Sequence, residues 1–254
     1  MQTYVFLDLD NTIFQTRGKC PPEEALSLIP AAFHRDGSPL SFMSPRQRQL
    51  FEWLSAAATV IPVTARNESA FHRVTLPFRH AVILDFGGVV LLPDGQLDEQ
   101  WDDQIRPMVS LLGNELTRIQ EALQATSDSL SLGVRVRVIC DFDLQLYVVA
   151  KQVDGDVDAL RQVMEQHAAL AHDERFFVHF NDNNLSVVPR CLGKRQAVEH
   201  VLNRYAAGEP VLTLGLGDSL SDAAFLATCD FAMTPRNSQL QRALLMSEEA
   251  SADV

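Results

Sequence analysis

The chain has 254 residues, 46% of them hydrophobic, enough for one large domain or two smaller ones with packed cores. Its 33 acidic residues outnumber 21 Lys and Arg, and the formal net charge of −12 argues against a general nucleic-acid binder, which needs a basic face. No apolar run reaches the roughly 18 residues of a membrane helix.

The chain opens directly on an apolar run, Tyr4-Val5-Phe6-Leu7, with no basic region, apolar stretch and cleavage site before it. That start predicts no secretory signal. The four cysteines (Cys20, Cys140, Cys191, Cys229) form no C-x-x-C pair, so reduced thiols and a cytoplasmic setting are expected, with no disulfide framework or zinc site. Residues 3–8 read as a buried parallel strand. Residues 14–45, rich in Pro and Gly, read as loop with a short helix. Pro45 opens a helical pattern over 46–57. Residues 60–64 read as a second strand, a helix capped by Asn67 runs to about Phe78, and residues 81–84 make a third strand.

The middle of the chain differs. Residues 98–126 form one long helical pattern. Val134-Arg135-Val136-Arg137-Val138 alternates as a strand with one polar face does, and pairs with 144–151 as a hairpin. A helix over 157–170 and a second hairpin, 176–180 with 185–188 across the turn residues 181–184, follow. This predicts a small antiparallel sheet backed by helices. Beyond it come a helix over 194–205, a strand over 211–215, a helix from about Ser221, a short strand over 231–233 and a frayed acidic tail over 247–254. Strands alternating with helices at both ends indicate an α/β fold, a doubly wound parallel sheet. The expected domains are a core of 1–90 and 189–254, interrupted by an inserted α+β domain of 91–188.

Chemistry concentrates at four places. Asp8 and Asp10 stand two residues apart at the end of the first strand, and paired acids are costly without a cation or proton between them. Thr64 ends the second strand. Lys194 heads the helix after the insert. Asp218 and Asp222 lie in Gly217-Asp218-Ser219-Leu220-Ser221-Asp222, where a strand meets a helix. In an open α/β sheet, ligands bind at this carboxyl edge. Asp8, Asp10 and Asp218 can offer oxygens to a hard dication such as Mg2+. Lys194, the Thr64 hydroxyl and backbone N–H groups can hold phosphate oxygens. One carboxylate can then attack the phosphorus while the other moves the proton. Arg66 reads as a surface or helix-entry charge. Arg135 and Arg137 read as a solvated strand face or as a site for a second anionic group. The histidines, His34, His167 and His179 among them, show no metal spacing.

These motifs, D-x-D-x-T, Thr, Lys and G-D-x-x-x-D in that order, resemble those of the haloacid dehalogenase superfamily phosphatases. The inserted αββαββ order is similar to the second type of cap in that superfamily, as in sucrose-phosphate, mannosyl-3-phosphoglycerate and trehalose-phosphate phosphatases. The resemblance implies a Rossmann-like core. It makes Asp8 the nucleophile and Asp10 the acid/base, with Thr64 and Lys194 binding the phosphoryl group. It assigns Mg2+ to Asp8, the Asp10 carbonyl and Asp218, with Asp222 orienting the metal's waters. The implied activity is hydrolysis of a small soluble phosphomonoester, most plausibly a sugar phosphate, with neither nucleic acid nor membrane as partner. The alternatives are a phosphomutase and a non-enzymatic aspartyl-phosphate switch. Ser221 stands where many such sugar phosphatases have Asn, and Asp85-Phe86-Gly87-Gly88 stands where they often have Asn-Gly.

Overall fold

The first strand, β1 (Gln2–Leu7), is apolar from Tyr4 onward because it is covered on both faces; Val5, Phe6 and Leu7 are wholly buried. The computed structural model to which it belongs describes residues 1–152, 156–181 and 184–252. After β1 the chain forms β2 (Gln15–Thr16), β3 (Ile29–Phe33) and β4 (Pro39–Met43), a small antiparallel sheet in the order β2-β4-β3. This replaces the loop expected over 14–45. The Asp36-Gly37-Ser38 turn makes it possible: Gly37 takes φ 83°, and the Asp36 carboxylate accepts from both the N–H and the hydroxyl of Ser38.

Helix α1 (Pro45–Ala57) starts in a reciprocal capping box between Ser44 and Gln47. The Gln47 amide also donates to the Thr12 carbonyl at 3.3 Å, tying the helix to the loop after β1. Strand β5 (Thr59–Pro62) pairs with β1 in parallel. Helix α2 (Glu68–Phe71) has the expected Asn67 cap but is a single turn. It stops early because the chain beyond it is captured alongside β3: the Phe33 N–H donates to the Arg73 carbonyl and the Thr75 N–H to the Ala31 carbonyl. The third predicted strand, β6 (Val82–Leu84), pairs with β7 (Val89–Leu91) in a two-stranded sheet and meets the main sheet through one bridge, Val63 to Ile83.

The pattern over 98–126 resolves into two helices, α3 (Glu99–Ser110) and α4 (Gly113–Ser129). A Leu112 N–H bond to the Val109 carbonyl closes the first, and Gly113, a poor helix former, opens the second. Strands β8 (Val134–Asp141) and β9 (Leu144–Gln152) form the first hairpin, with Phe142 and Asp143 left-handed at its turn. Helix α5 (Val157–Gln166) is capped by Asp156. Strands β10 (Phe176–Asn181) and β11 (Asn184–Pro189) form the second hairpin, and residues 182–183 of its expected turn lie outside the described residues. The antiparallel order is β10-β11-β9-β8. Leu116, Leu123, Val136, Val148, Val163 and Phe176 pack between this sheet and α4 and α5. Arg135 and Arg137 alternate with that core and are exposed on β8, opposite Lys151 and Val149.

The chain returns through α6 (Lys194–Ala206), β12 (Val211–Leu216), α7 (Ala223–Leu226), β13 (Phe231–Met233) and α8 (Gln239–Ala252). The tail expected to fray is helical through Ala252, as its Ala and Glu residues favour. The main sheet is parallel, in the order β13-β12-β1-β5. The chain divides into two units, Met1–Asp98 with Lys194–Val254, and Glu99–Gly193. Residues 91–98 stay with the first unit because β7 ends there and the Asp98 N–H returns to the Val90 carbonyl. Among the described residues no helix is long and apolar enough to cross a membrane.

Leu123 is fully buried under the antiparallel sheet. Leu123→Ala is expected to cost about 2–5 kcal/mol, measured as a lowered urea midpoint by circular dichroism.

Candidate active site

Asp8 follows the last residue of β1 and is 5% exposed. Its N–H continues the parallel ladder by donating to the Leu216 carbonyl. The carboxylate is fixed from two sides. The Thr12 hydroxyl donates to Oδ2 at 2.8 Å, and the Lys194 ammonium to Oδ1 at 2.7 Å. The chain then reverses: Asn11 takes φ 62°, and the N–H groups of Thr12, Ile13 and Phe14 converge on the Leu9 carbonyl. The Leu9 and Asp10 N–H groups take no part in that turn.

Lys194, the first residue of α6, is buried and bridges two strand ends. Its Nζ lies 2.7 Å from Asp8 Oδ1 and 2.6 Å from Asp222 Oδ1, and 5.9 Å from the Phe225 ring centroid. Asp222 is fully buried and its second oxygen is also engaged. Oδ2 accepts from the N–H groups of Asp218 and Ser219 and from the Ser219 hydroxyl. Ser221 adds a 2.7 Å hydroxyl contact to Ser219. This close wrapping requires Gly217, because a Cβ there would lie 2.6 Å from the Asp222 Cβ and 2.9 Å from Oδ2.

Asp8, Asp218 and Asp222 each bring a carboxylate oxygen within 4.8 Å of the others. Three buried acids face one buried lysine. Burial pushes Asp8 well above the usual carboxylate range, Asp222 adds to the rise, and Lys194 offsets part of it. Asp218 is pushed up to about 7, by burial first and then by Asp222. Burial alone would lower the Lys194 ammonium, but Asp222 and Asp8 outweigh it and hold it above the ordinary lysine value. An all-oxygen acidic cluster of this kind suits a hard dication. Asp222 accepts four hydrogen bonds, from Lys194, the Asp218 N–H and the N–H and hydroxyl of Ser219, whereas Asp8 accepts two, so the carboxylates of Asp8 and Asp218 are the better direct donors.

Asp10 and Thr64 belong to the neighbouring part of the same edge. Thr64 is 1% exposed and follows β5, with its N–H on the Ile83 carbonyl. Its hydroxyl accepts from the Arg66 N–H at 3.1 Å. Arg66 is no surface charge. Its side chain is 11% exposed, lies against the Phe14 ring, and grips both oxygens of Asp10 at 2.7 Å. Behind this segment Asp85, Phe86 and Gly87 take φ 53°, 57° and 93° in succession. Such a conformation costs about 1–3 kcal/mol at each non-glycine residue. It aims the Asp85 N–H at the Arg66 carbonyl and the Phe86 N–H at the Thr64 carbonyl.

Lys19 lies in no sequence motif. It is exposed, donates to the Asn11 side chain at 2.6 Å and bears electrostatically on Asp218. Nothing in its Gly18-Lys19-Cys20 context signals that position; the β2-β4-β3 fold carries it there.

The edge described, with four parallel strands and acids following β1 and β12, is the ligand-binding edge of an open α/β sheet. Among solved structures the chain is similar to a trehalose-6-phosphate phosphatase related protein (19% identity, 91% of this chain and 84% of that one, TM-score 0.53). It is also similar to the sucrose-phosphatase of Synechocystis in complex with sucrose and phosphate (18% identity, 97% and 87%, TM-score 0.55). A third is a haloacid dehalogenase-like hydrolase from Bacteroides thetaiotaomicron (10% identity, 92% and 94%, TM-score 0.52). The chain thus has the fold of the haloacid dehalogenase-like hydrolases and phosphatases. No protein-family model and no curated protein matches the sequence.

Two outcomes test this geometry. Gly217→Ala must displace Asp222 and is expected to destabilise the fold by about 1–3 kcal/mol, read by thermal unfolding. Asp218 binds its proton more tightly in the folded chain, with a pKa of about 7 against 3.8. Its contribution to stability therefore falls as pH rises between those values. In EDTA, the melting temperature of Asp218→Asn at pH 7 is expected to exceed that of the parent, and the difference to shrink toward pH 4.

Proposed function

We propose that the chain is a Mg2+-dependent phosphomonoesterase that acts through a phosphoaspartate on Asp8, with a small phosphorylated metabolite, a sugar phosphate, as substrate. The observation that carries this reading is the state of Asp8. A buried carboxylate at a strand end, its two oxygens oriented by Thr12 and Lys194, is a preorganised nucleophile. Each oxygen keeps a lone pair beyond the one its hydrogen bond uses. The second acid, Asp10, is 39% exposed at its side chain and open to a ligand.

In the first step an Asp8 oxygen attacks phosphorus, the bond to the leaving oxygen breaks, and Asp10 gives its proton to that oxygen. In the second, Asp10 takes a proton from water, whose oxygen attacks the same phosphorus; the acyl-phosphate bond breaks, phosphate leaves and Asp8 is regenerated. Lys194 and the Thr64 hydroxyl hold phosphoryl oxygens and neutralise developing charge. Mg2+, held by the Asp8 and Asp218 carboxylates and the Asp10 carbonyl, would supply charge neutralisation and in-line orientation. Asp222 serves by pinning Lys194 and the Gly217–Ser219 loop. The named activities of the trehalose-6-phosphate and sucrose phosphatases support a sugar phosphate as the substrate class.

The test is phosphate release from a panel of sugar phosphates, glycerate-type esters and nucleotides with Mg2+. Release from at least one small phosphoester is expected, lost on EDTA treatment and restored by Mg2+. Asp8→Asn is expected to lower it by roughly 10³-fold or more. A folded Asp8→Asn protein with full activity would refute the mechanism. Isomerisation of a sugar phosphate without net phosphate release would replace hydrolysis by a mutase reaction.

A further inference from the structure

We infer that Arg66 is a positioning residue for Asp10: its guanidinium fork sets the plane and reach of the carboxylate that hands the proton to the leaving oxygen. The inference rests on the phosphatase reading and extends it to a residue that the sequence motifs do not assign. Arg66 Nε lies 2.7 Å from Asp10 Oδ2, and Nη2 lies 2.7 Å from Oδ1. Two parallel bonds to one carboxylate fix its rotation as well as its position, which a single ammonium contact does not.

The arginine is more constrained than an ordinary ion pair needs. The Arg48–Glu52 and Arg195–Glu199 pairs join neighbours on one helix with both partners largely exposed. The Arg66–Asp10 pair joins separate strand ends. Its arginine is held by the Phe14 ring at 5.0 Å, by the Ala70 carbonyl at 3.4 Å, and through its own carbonyl by Asp85. Restraint is thus concentrated on the arginine while the carboxylate keeps an open edge. A side chain that must meet a reacting atom needs that support from its neighbours.

Arg66 also shares a reference point with the proposed phosphate-binding hydroxyl. Its N–H donates to Thr64 Oγ1, and the left-handed Asp85-Phe86-Gly87 turn holds both carbonyls. One short segment therefore fixes where the phosphoryl group would lie and where Asp10 stands beside it. Arg66 exchanges no proton in this scheme. The proton passes from Asp10 to the leaving oxygen as the phosphorus–oxygen bond breaks.

The experiment compares kcat/KM for p-nitrophenyl, phenyl and p-methoxyphenyl phosphate in the parent, Arg66→Ala, Arg66→Lys, Asp10→Ala and the Asp10→Ala/Arg66→Ala double variant, all with Mg2+. A nitrophenolate leaves without a proton, whereas the poorer leaving groups depend on one. Arg66→Ala is expected to lose about 100-fold on phenyl and p-methoxyphenyl phosphate but less than about 10-fold on p-nitrophenyl phosphate. Asp10→Ala should show the same steepened dependence, the double variant should be no worse than Asp10→Ala, and Arg66→Lys should fall between Arg66→Ala and the parent. An equal loss on all three esters, or a double variant that multiplies the single losses, would overturn the inference and leave the phosphatase reading standing. A parent enzyme that releases phosphate from no phosphoester would remove both. Circular dichroism checks folding, and if Arg66→Ala does not fold, Arg66→Lys and Arg66→Gln carry the same comparison.

Discussion

The buried bridge from Lys194 to Asp8 and Asp222 is the constraint on which the acidic edge of the parallel sheet depends. It joins the end of β1, the start of α6 and the loop after β12, three segments far apart in the chain. Each ion loses hydration on burial, so such a bridge is a poor source of net stability. What it supplies is uniqueness. With Lys194 withdrawn, three carboxylates would face one another in a dry site, and no arrangement of the surrounding apolar residues would relieve them. The cost is met by the packing of β1 and its neighbours, where Val5, Leu7, Leu9, Ile13 and Leu54 are closed off from water.

The same helix explains how the core tolerates a large insertion. The first unit ends at Asp98, whose carboxylate reaches His200 Nε2 at 3.0 Å and Arg204 Nη1 at 3.3 Å. The chain re-enters at Lys194, the first residue of α6. Exit and return are therefore both secured on one helix, and Lys194 stays in register with Asp8 whatever the length of chain between. The entropy of closing such a loop grows only slowly with length. The inserted unit has its own antiparallel sheet and core, so it can satisfy its own packing.

The acidic edge was legible because its residues sit at sharp changes of local pattern. Asp8 and Asp10 end an apolar run; Asp218 and Asp222 follow a strand through glycines. Alternation marked the first hairpin and turn residues the second, both local signals. Elements that depend on distant partners were not legible. The β2-β4-β3 sheet needs a turn at Gly37 and pairing across a Pro-rich stretch. The helix after Asn67 is cut short by capture against β3, a tertiary contact that overrides propensity. Lys19 and Arg66 are ordinary basic residues by sequence. Only the fold brings Lys19 to Asn11 and folds Arg66 over Phe14 onto Asp10.

Two aspartates separated by one buried leucine have been given opposite surroundings. Leu9 is fully buried, so the chain cannot slide to exchange them. Asp8 is dry, held by a hydroxyl and an ammonium, and raised in pKa chiefly by its burial. Asp10 is partly open and held through both oxygens by a guanidinium that is itself wedged against an aromatic ring. A nucleophile needs a fixed oxygen and little competing water; a proton carrier needs a fixed plane and an open edge. Where residue type is the same, environment divides the labour. In the mechanism proposed above, that division is made by Lys194 on one side of Leu9 and Arg66 on the other.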